Sequence, residues 1–156
     1  MARFAVSAGP WISEATQQRT LALRLVNRGG TACVLDGYPR LTLYGTAGVI
    51  PFPVSHSGDQ MISAGRPRAV TVRRHAAVFV VMNKSQCVRG ATSSTQVTTR
   101  IEIRAPVGSN EQSASMRFGA KTPFPWRIPT YCGKGDPGST LTVSPFVPAV
   151  RAALAG

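Results

Sequence analysis

The chain has 156 residues, of which 43% are hydrophobic, so it can bury a substantial core and is not expected to be disordered. Only 15% of the residues are charged, yet the formal net charge is +12. Such a basic balance favours contact with anionic polymers or membrane surfaces, but it does not define a fold. The length suits a single domain over residues 1–156, and no apolar run approaches the roughly 18 residues of a membrane span.

Alternation of apolar and polar residues predicts β-strands in the first half of the chain. Leu21, Leu23 and Leu25 share one face of segment 20–27, which is the pattern of a half-buried strand. The run 78–82 is apolar on both faces, which indicates a central strand covered on both sides. Further strands are predicted at 4–7, 41–44, 49–54, 69–73 and 77–82.

The same alternation continues in the second half. Segment 97–104 is predicted to be one strand, with Val97, Thr99, Ile101 and Ile103 towards the core and Thr98, Arg100, Glu102 and Arg104 towards solvent. Strands are also predicted at 113–118 and 140–144. Segment 121–129 contains three prolines and is predicted to be a surface loop or an edge crossing rather than a strand. The aromatic residues Phe124, Trp126 and Tyr131 either cap the core or form a binding surface, and a cap is the favoured interpretation.

Many short strands separated by glycine-rich and proline-rich turns predict an all-β sandwich or barrel of antiparallel strands. The apolar faces of the predicted strands should meet in one shared core. Its predicted members are Leu21, Leu23, Leu25, Leu41, Leu43, Val70, Val72, Val80, Ile101, Ile103, Leu141 and Val143.

The sequence offers little for catalysis. His56 lies in a Ser-His-Ser-Gly-Asp segment, but no nucleophile-elbow motif is present, so an exposed loop histidine is favoured over a catalytic base. His75 follows two arginines, and no pair of histidines or cysteines has metal-ligand spacing. The glycines form no phosphate-binding motif. We therefore predict a protein that is not an enzyme and has no cofactor and no metal.

The arginines are scattered except in one dense stretch. Arg66, Arg68, Arg73 and Arg74 lie close together in the chain and are the candidate anion-binding residues. Phosphate contacts fix position without reading sequence, so any binding of an anionic polymer there should be weak and non-specific. A module that binds nucleic acid, envelope polymer or acidic lipid surfaces is the alternative function.

Cys33, Cys87 and Cys132 lack the C-x-x-C spacing of zinc or redox sites. If the protein is exported, a disulfide is favoured, and one cysteine is then left over. Cys33 lies in an apolar run, where burial would keep the thiol inert.

A stretch around the first cysteine carries a family resemblance. Segment 20–44 resembles an actinobacterial family of exported domains, domain of unknown function 4232, in a strand that ends in Asn, a glycine turn, and then a cysteine, an apolar pair and Gly-Tyr-Pro. The matching positions are Asn27, Gly29, Gly30, Cys33, Val34, Leu35, Gly37, Tyr38 and Pro39. The resemblance implies an immunoglobulin-like antiparallel β-sandwich, export by a signal peptide and often lipid anchoring, with no established activity.

The resemblance also bears on the cysteines. Family members commonly carry a further cysteine before the first strand, and this chain has none there. Cys33 is therefore predicted to be unpaired and Cys87 to be bonded to Cys132, two positions in loop-like stretches. The resulting prediction is a secreted or cell-envelope interaction domain, non-enzymatic, whose partner is an unknown protein or envelope component.

Overall fold

The computed structural model describes residues 4–90, 92, 94–107 and 110–156. Their regular structure is almost entirely β, with short 3₁₀ helices at Pro125–Arg127, Pro137–Ser139 and Val150–Ala153. The strands are β1 (Phe4–Ala8), β2 (Gln18–Asn27), β3 (Cys33–Leu35), β4 (Arg40–Gly45), β5 (Gly48–Ile50), β6 (Val54–Ser55), β7 (Val70–Val72), β8 (Ala77–Ser85), β9 (Gln96–Val97), β10 (Arg100–Val107), β11 (Asn110–Arg117), β12 (Thr130–Tyr131) and β13 (Leu141–Val143).

The strands form two principal sheets. One has the order β1-β2-β8-β13-β6 and the other the order β11-β10-β4-β5, while β3 pairs with β7 and β9 with β12. The predicted all-β fold is confirmed. The strands pair antiparallel, with one exception to the prediction: β6 runs parallel to β13. Pro51 and Pro53 cause that exception, because they split the predicted strand 49–54 and send its end to the other sheet.

The two sheets face each other across one hydrophobic cluster, as in a β-sandwich. Leucines of β2 and valines of β8 meet Leu43 of β4 and the isoleucines of β10 there. The predicted shared core is confirmed, since every one of its members belongs to this cluster or packs against it. Leu41 and Val70 are the half-buried ones at its margin.

The prediction that β8 is covered on both faces is also confirmed. Val78, Val80 and Met82 point into the core between the sheets. On the opposite face, Val81 lies in a second cluster and Phe79 packs against it. The segments that cover this outer face contribute Ile12, Ile62, Val147 and Ala153.

The predicted single strand 97–104 is wrong at its start. Val97 is 54% exposed, whereas Thr98, assigned to the wet face, is 1% exposed. Both the backbone N–H and the hydroxyl of Thr98 donate to the Pro129 carbonyl, at 3.1 Å and 2.6 Å. Because these bonds turn the chain between β9 and β10, the alternation of faces shifts by one residue.

The side chain of Asn27, at the end of β2, has a structural role in the glycine turn that follows. Its side chain is fully buried, and Nδ2 donates to the carbonyls of Thr31, at 2.9 Å, and Val72, at 3.0 Å. Oδ1 accepts the Gly29 N–H at 2.9 Å. One amide therefore joins the end of β2, the turn after it and β7, and holds the paired strands β3 and β7 on the sandwich.

Candidate functional site

The structure divides the four candidate anion-binding arginines between two places. Arg66 and Arg68 line a cavity of about 810 Å³. Arg73 and Arg74 lie beyond the end of β7, in the turn that leads into β8. All four are exposed. Only the first half of the dense basic stretch therefore lines this cavity.

The walls of the larger cavity are mainly apolar. Val70 and Ala69 form one side, and the C-terminal segment forms the other through Pro145, Phe146, Val147, Pro148 and Ala153. The walls are held together by backbone bonds, since the Ser63 N–H donates to the Ala153 carbonyl at 2.9 Å and the Phe146 N–H to the Gly37 carbonyl at 3.1 Å. The cavity thus combines a preformed apolar lining with two guanidinium groups.

A second basic site lies on the paired strands β2 and β8. Arg19 is the register partner of Lys84, next to the pairs Leu21–Met82 and Leu23–Val80. Successive residues on a strand point to opposite faces, so Arg19 and Lys84 continue the two rows that face the core. Two cations thus stand opposite each other where the alternation would place apolar residues.

Lys84 is buried, with 4% of its surface exposed. Burial and, to a smaller extent, the nearby Arg19 lower the pKa of its ammonium group from 10.5 to about 8, and Asp136 opposes the shift. Its Nζ donates to the Ser85 carbonyl at 2.7 Å. Among the described residues, neither Lys84 nor Arg19 forms an ion pair.

Two carboxylates in this region, those of Asp136 and Glu14, have other partners. Asp136 accepts the N–H groups of Gly138, Val88 and Arg89, and these bonds hold the pKa of the Asp136 carboxyl below its usual value. Glu14 accepts the Thr20 N–H at 2.8 Å and pairs with the guanidinium of Arg127 at 3.3 Å.

Arg19 and Lys84 line a cavity of about 230 Å³. Its cover includes Cys87, Thr95, Trp126, Ile128 and Thr130. Cys87 is bonded to Cys132, with Cα atoms 5.7 Å apart, and Cys33 is free and buried, as predicted. The disulfide therefore ties the loop after β8 to the strand that follows the proline-rich segment.

The proline-rich segment contains no strand, as predicted, and its aromatic residues divide between the two interpretations. Tyr131 is buried and packs edge-on against Phe52 at the margin of the core, whereas Phe124 and Trp126 lie outside the core. Trp126 is 54% exposed, and the buried residue beside it is Arg127. The guanidinium of Arg127 lies over the rings of Trp11, Phe124 and Trp126, at 5.3, 4.9 and 5.8 Å from their centroids. Cation–π contacts and the ion pair with Glu14 hold this arginine, so its charge is already occupied.

The residues considered for catalysis lie on different elements of the fold. His56 is exposed and its ring stacks on that of Tyr38, with centroids 3.9 Å apart. His75 occupies a left-handed turn before β8. Burial raises the pKa of the Cys33 thiol, which disfavours the thiolate. Within the described ranges, no three of the His, Cys, Asp and Glu side chains converge as a metal site.

The charged outer face of β10 is an ion-pair network. Glu102 pairs with Arg104 at 2.9 Å and with Arg100 at 3.8 Å, and Glu111 on β11 pairs with Arg104 and Arg40. These arginines have local carboxylate partners, so this face is a poorer candidate for binding external anions than either cavity.

Reasoning from the sequence missed the pair formed by Arg19 and Lys84. A signal was present, because Arg19 continues the row of Leu21, Leu23 and Leu25, and Lys84 continues the row of Val78, Val80 and Met82. Two separate period-two rows that each end in a basic residue indicate cations at one end of a core. A search for dense charge along the chain does not detect this arrangement.

The fold and the sites together define a β-sandwich that carries a disulfide between the segments following β8 and β12. The chain belongs to the family described as domain of unknown function 4232 (DUF4232), whose model matches residues 2–147. No curated protein matches the chain, and neither does any solved structure. No helix in the described residues has the length and apolar character needed to cross a bilayer.

Proposed function

We propose that this chain is a non-enzymatic binding domain that works outside the cytoplasm, in the cell envelope or as a secreted protein, and that its ligand is an anionic lipid. The observation that carries the proposal is the cavity of about 810 Å³, which pairs an apolar lining with the guanidinium groups of Arg66 and Arg68. Ligand cavities are typically about 300–1,000 Å³ and mostly apolar, with a few polar groups that orient the ligand.

An anionic lipid matches this division of chemistry. Its hydrocarbon part would lie against Val70, Phe146 and Val147, and its charged head would meet Arg66 and Arg68. The net charge of +12 adds a long-range attraction for an acidic partner. The exposed Arg73 and Arg74 can add only screened charge, because they lie outside the apolar lining.

Two observations support the other parts of the proposal. The Cys87–Cys132 bond supports an oxidising location, since structural disulfides persist mainly outside the cytosol. Within the described residues no side-chain hydrogen bond joins His56, His75 and the buried Cys33, which supports a binding role, since acid–base or nucleophilic catalysis requires such groups to converge.

The test is calorimetric titration of the folded protein with a medium-chain fatty acid, with the fatty alcohol of the same length as the uncharged ligand. We expect the acid to bind, and the double variant Arg66→Gln/Arg68→Gln to weaken it by about tenfold or more. The matched control is Arg73→Gln/Arg74→Gln, which removes the same charge from the neighbouring turn. Ala152→Phe should also weaken binding, because Ala152 lines the cavity.

Three results would contradict the proposal. The alcohol could bind as well as the acid, the two arginine pairs could matter equally, or binding could disappear at moderate salt concentration in all variants. Each would indicate either a purely apolar contact or diffuse charge.

A further inference from the structure

We propose that the cavity lined by Arg19 and Lys84 is a second binding site, for the oxyanion of a carboxylate or phosphate group carried by a larger ligand. The site is separate from the cavity of Arg66 and Arg68, and it does not depend on the function proposed for that cavity. Its basis is the placement of two cations, the pairing of the nearby carboxylates and the shape of the space between them.

The placement is costly for the free protein. Arg19 and Lys84 are direct register partners, and like charges opposite each other on paired strands repel. Lys84 is 4% exposed, so its charge has also lost most of its hydration. An apolar residue would extend the core rows at either position without these costs. A bound anion would offset both of them.

Charged groups around Lys84 perform that task only in part, since Asp136 favours the charged ammonium but forms no ion pair with it among the described residues. Arg19 on β2 adds like charge, and the Asp136 carboxylate is occupied by three backbone N–H groups. Glu14 is engaged by the Thr20 N–H and by Arg127, whose guanidinium is enclosed by aromatic rings. Of the three hydrogen-bond donors of the Lys84 ammonium, the Ser85 carbonyl accepts one.

The donors suit an oxyanion. The guanidinium of Arg19 presents a planar fork that matches a carboxylate or phosphate, and one Nη donates to the Gln18 carbonyl at 3.0 Å. The Lys84 ammonium is a compact charge that binds either kind of oxygen. At about 230 Å³, the cavity is smaller than a typical site for a whole ligand, so it fits an anionic end group. Trp126 is 54% exposed and lies beside the cavity, where its ring offers a flat surface to the remainder of the ligand.

The lysines make a direct test possible. The chain contains Lys84, Lys121 and Lys134, and the latter two are exposed, so they are internal controls in the same sample. Side-chain NMR would follow the titration of all three lysines in the folded protein, first without added anion and then with inorganic phosphate or acetate. We expect the Lys84 signal alone to move with the anion and its pKa to rise, because the anion stabilises the charged ammonium.

Comparison of ligands identifies the source of the oxyanion. Phenyl phosphate and benzoate carry the same aromatic group, so the tighter one reveals whether phosphate or carboxylate is preferred. Either should bind more tightly than inorganic phosphate or acetate, because the ring contacts Trp126. Trp126→Ala should abolish that difference and leave the Lys84 response to inorganic phosphate unchanged.

Variants separate this site from diffuse charge. Arg19→Gln should weaken phosphate binding by about tenfold or more, whereas Arg24→Gln, an exposed change on the same strand, should have no effect. Circular dichroism would verify that each variant is folded.

The proposal is overturned if phosphate and acetate leave the NMR signal of Lys84 unchanged, or if all three lysine signals respond alike. It is also overturned if Arg19→Gln and Arg24→Gln weaken binding equally. Arg66→Gln/Arg68→Gln should not alter the Lys84 response, so this site and the lipid cavity can fail independently.

Discussion

The two basic cavities differ in how they hold their charges. Arg66 and Arg68 stand exposed on an irregular segment, while Arg19 and Lys84 stand on paired strands, with Lys84 buried. Water and salt screen the first pair, whereas the second interacts in a medium of lower effective dielectric constant. We therefore expect the buried pair on the paired strands to bind an anion more strongly than the pair that is dense along the chain.

The cavities also differ in what supports them. The smaller one is bounded by the loops that the Cys87–Cys132 bond joins. One wall of the larger one begins at β7, whose Val72 carbonyl accepts a hydrogen bond from Asn27. Each support can be removed separately, which gives the first two predictions.

The largest effect is expected from the disulfide. Replacing both cysteines, Cys87→Ala/Cys132→Ala, should lower the free energy of unfolding by about 4 kcal/mol, because the bond closes a loop of 45 residues in the unfolded chain. Urea unfolding of the two proteins measures the difference. The variant should lose the response of Lys84 to phosphate and still bind the fatty acid. As a control, a reducing agent should destabilise the native protein and leave the variant unchanged; equal sensitivity would refute the assignment.

Asn27→Ala should have the next largest effect, about 3 kcal/mol, since it leaves the Thr31 and Val72 carbonyls and the Gly29 N–H without their partner. Because β7 forms part of the wall of the larger cavity and is less firmly held in this variant, fatty-acid binding should weaken. Lys84 should still respond to phosphate. Asn110→Ala, at an exposed asparagine, is the matched control. If loss of Asn27 disturbed the Lys84 site as strongly, the two cavities would not be independent.

The buried ammonium group of Lys84 should lower the free energy of unfolding, whereas the exposed arginines should have little effect on it. Lys84→Met should raise the free energy of unfolding at pH 7 by roughly 1–3 kcal/mol, because it removes a charge that burial penalises. The pKa of Lys84 is lowered to about 8 from 10.5, so between these values the unfolded chain binds more protons than the folded one. Stability due to this group therefore rises with pH across that window.

The measurement is urea unfolding of native and Lys84→Met proteins at several pH values. The difference between their free energies of unfolding should shrink as the pH rises from 8 towards 10.5. Titration of the other groups contributes equally to both proteins and does not affect that difference. Lys134→Met, at an exposed lysine, should change stability by no more than about 0.5 kcal/mol and show no such trend. A destabilised Lys84→Met protein would mean that the ammonium contributes more through its hydrogen bond than burial costs.

The sequence was sufficient for the fold because period-two alternation depends on burial, and burial is what the sandwich core selects. It misled at Val97, where hydrogen bonds from Thr98 to the distant Pro129 shift the alternation. Such long-range bonds have no local signature. For the candidate sites, the sequence singled out Arg66 and Arg68 but grouped them with Arg73 and Arg74. It could not reveal the apolar lining, which the C-terminal segment supplies only after folding.

The smallest effect is expected at the larger cavity, where Arg66→Gln/Arg68→Gln should change the free energy of unfolding by no more than about 0.5 kcal/mol. Both side chains are exposed, and neither forms an ion pair within the described part of the chain. Removing a hydrated charge changes the free energy of unfolding little, and dissolved ions screen such a charge beyond about 8 Å at physiological salt.

Arg19→Gln should behave differently, because it relieves the repulsion on Lys84 and so raises both the free energy of unfolding near pH 7 and the pKa of that lysine. Thermal unfolding of the two variants at low and high salt concentration measures the contrast: the exposed pair should give no change at either, and Arg19→Gln should give a gain that salt reduces only in part. If Arg66→Gln/Arg68→Gln altered stability as much as Arg19→Gln, the difference in burial would not account for the difference between the two cavities.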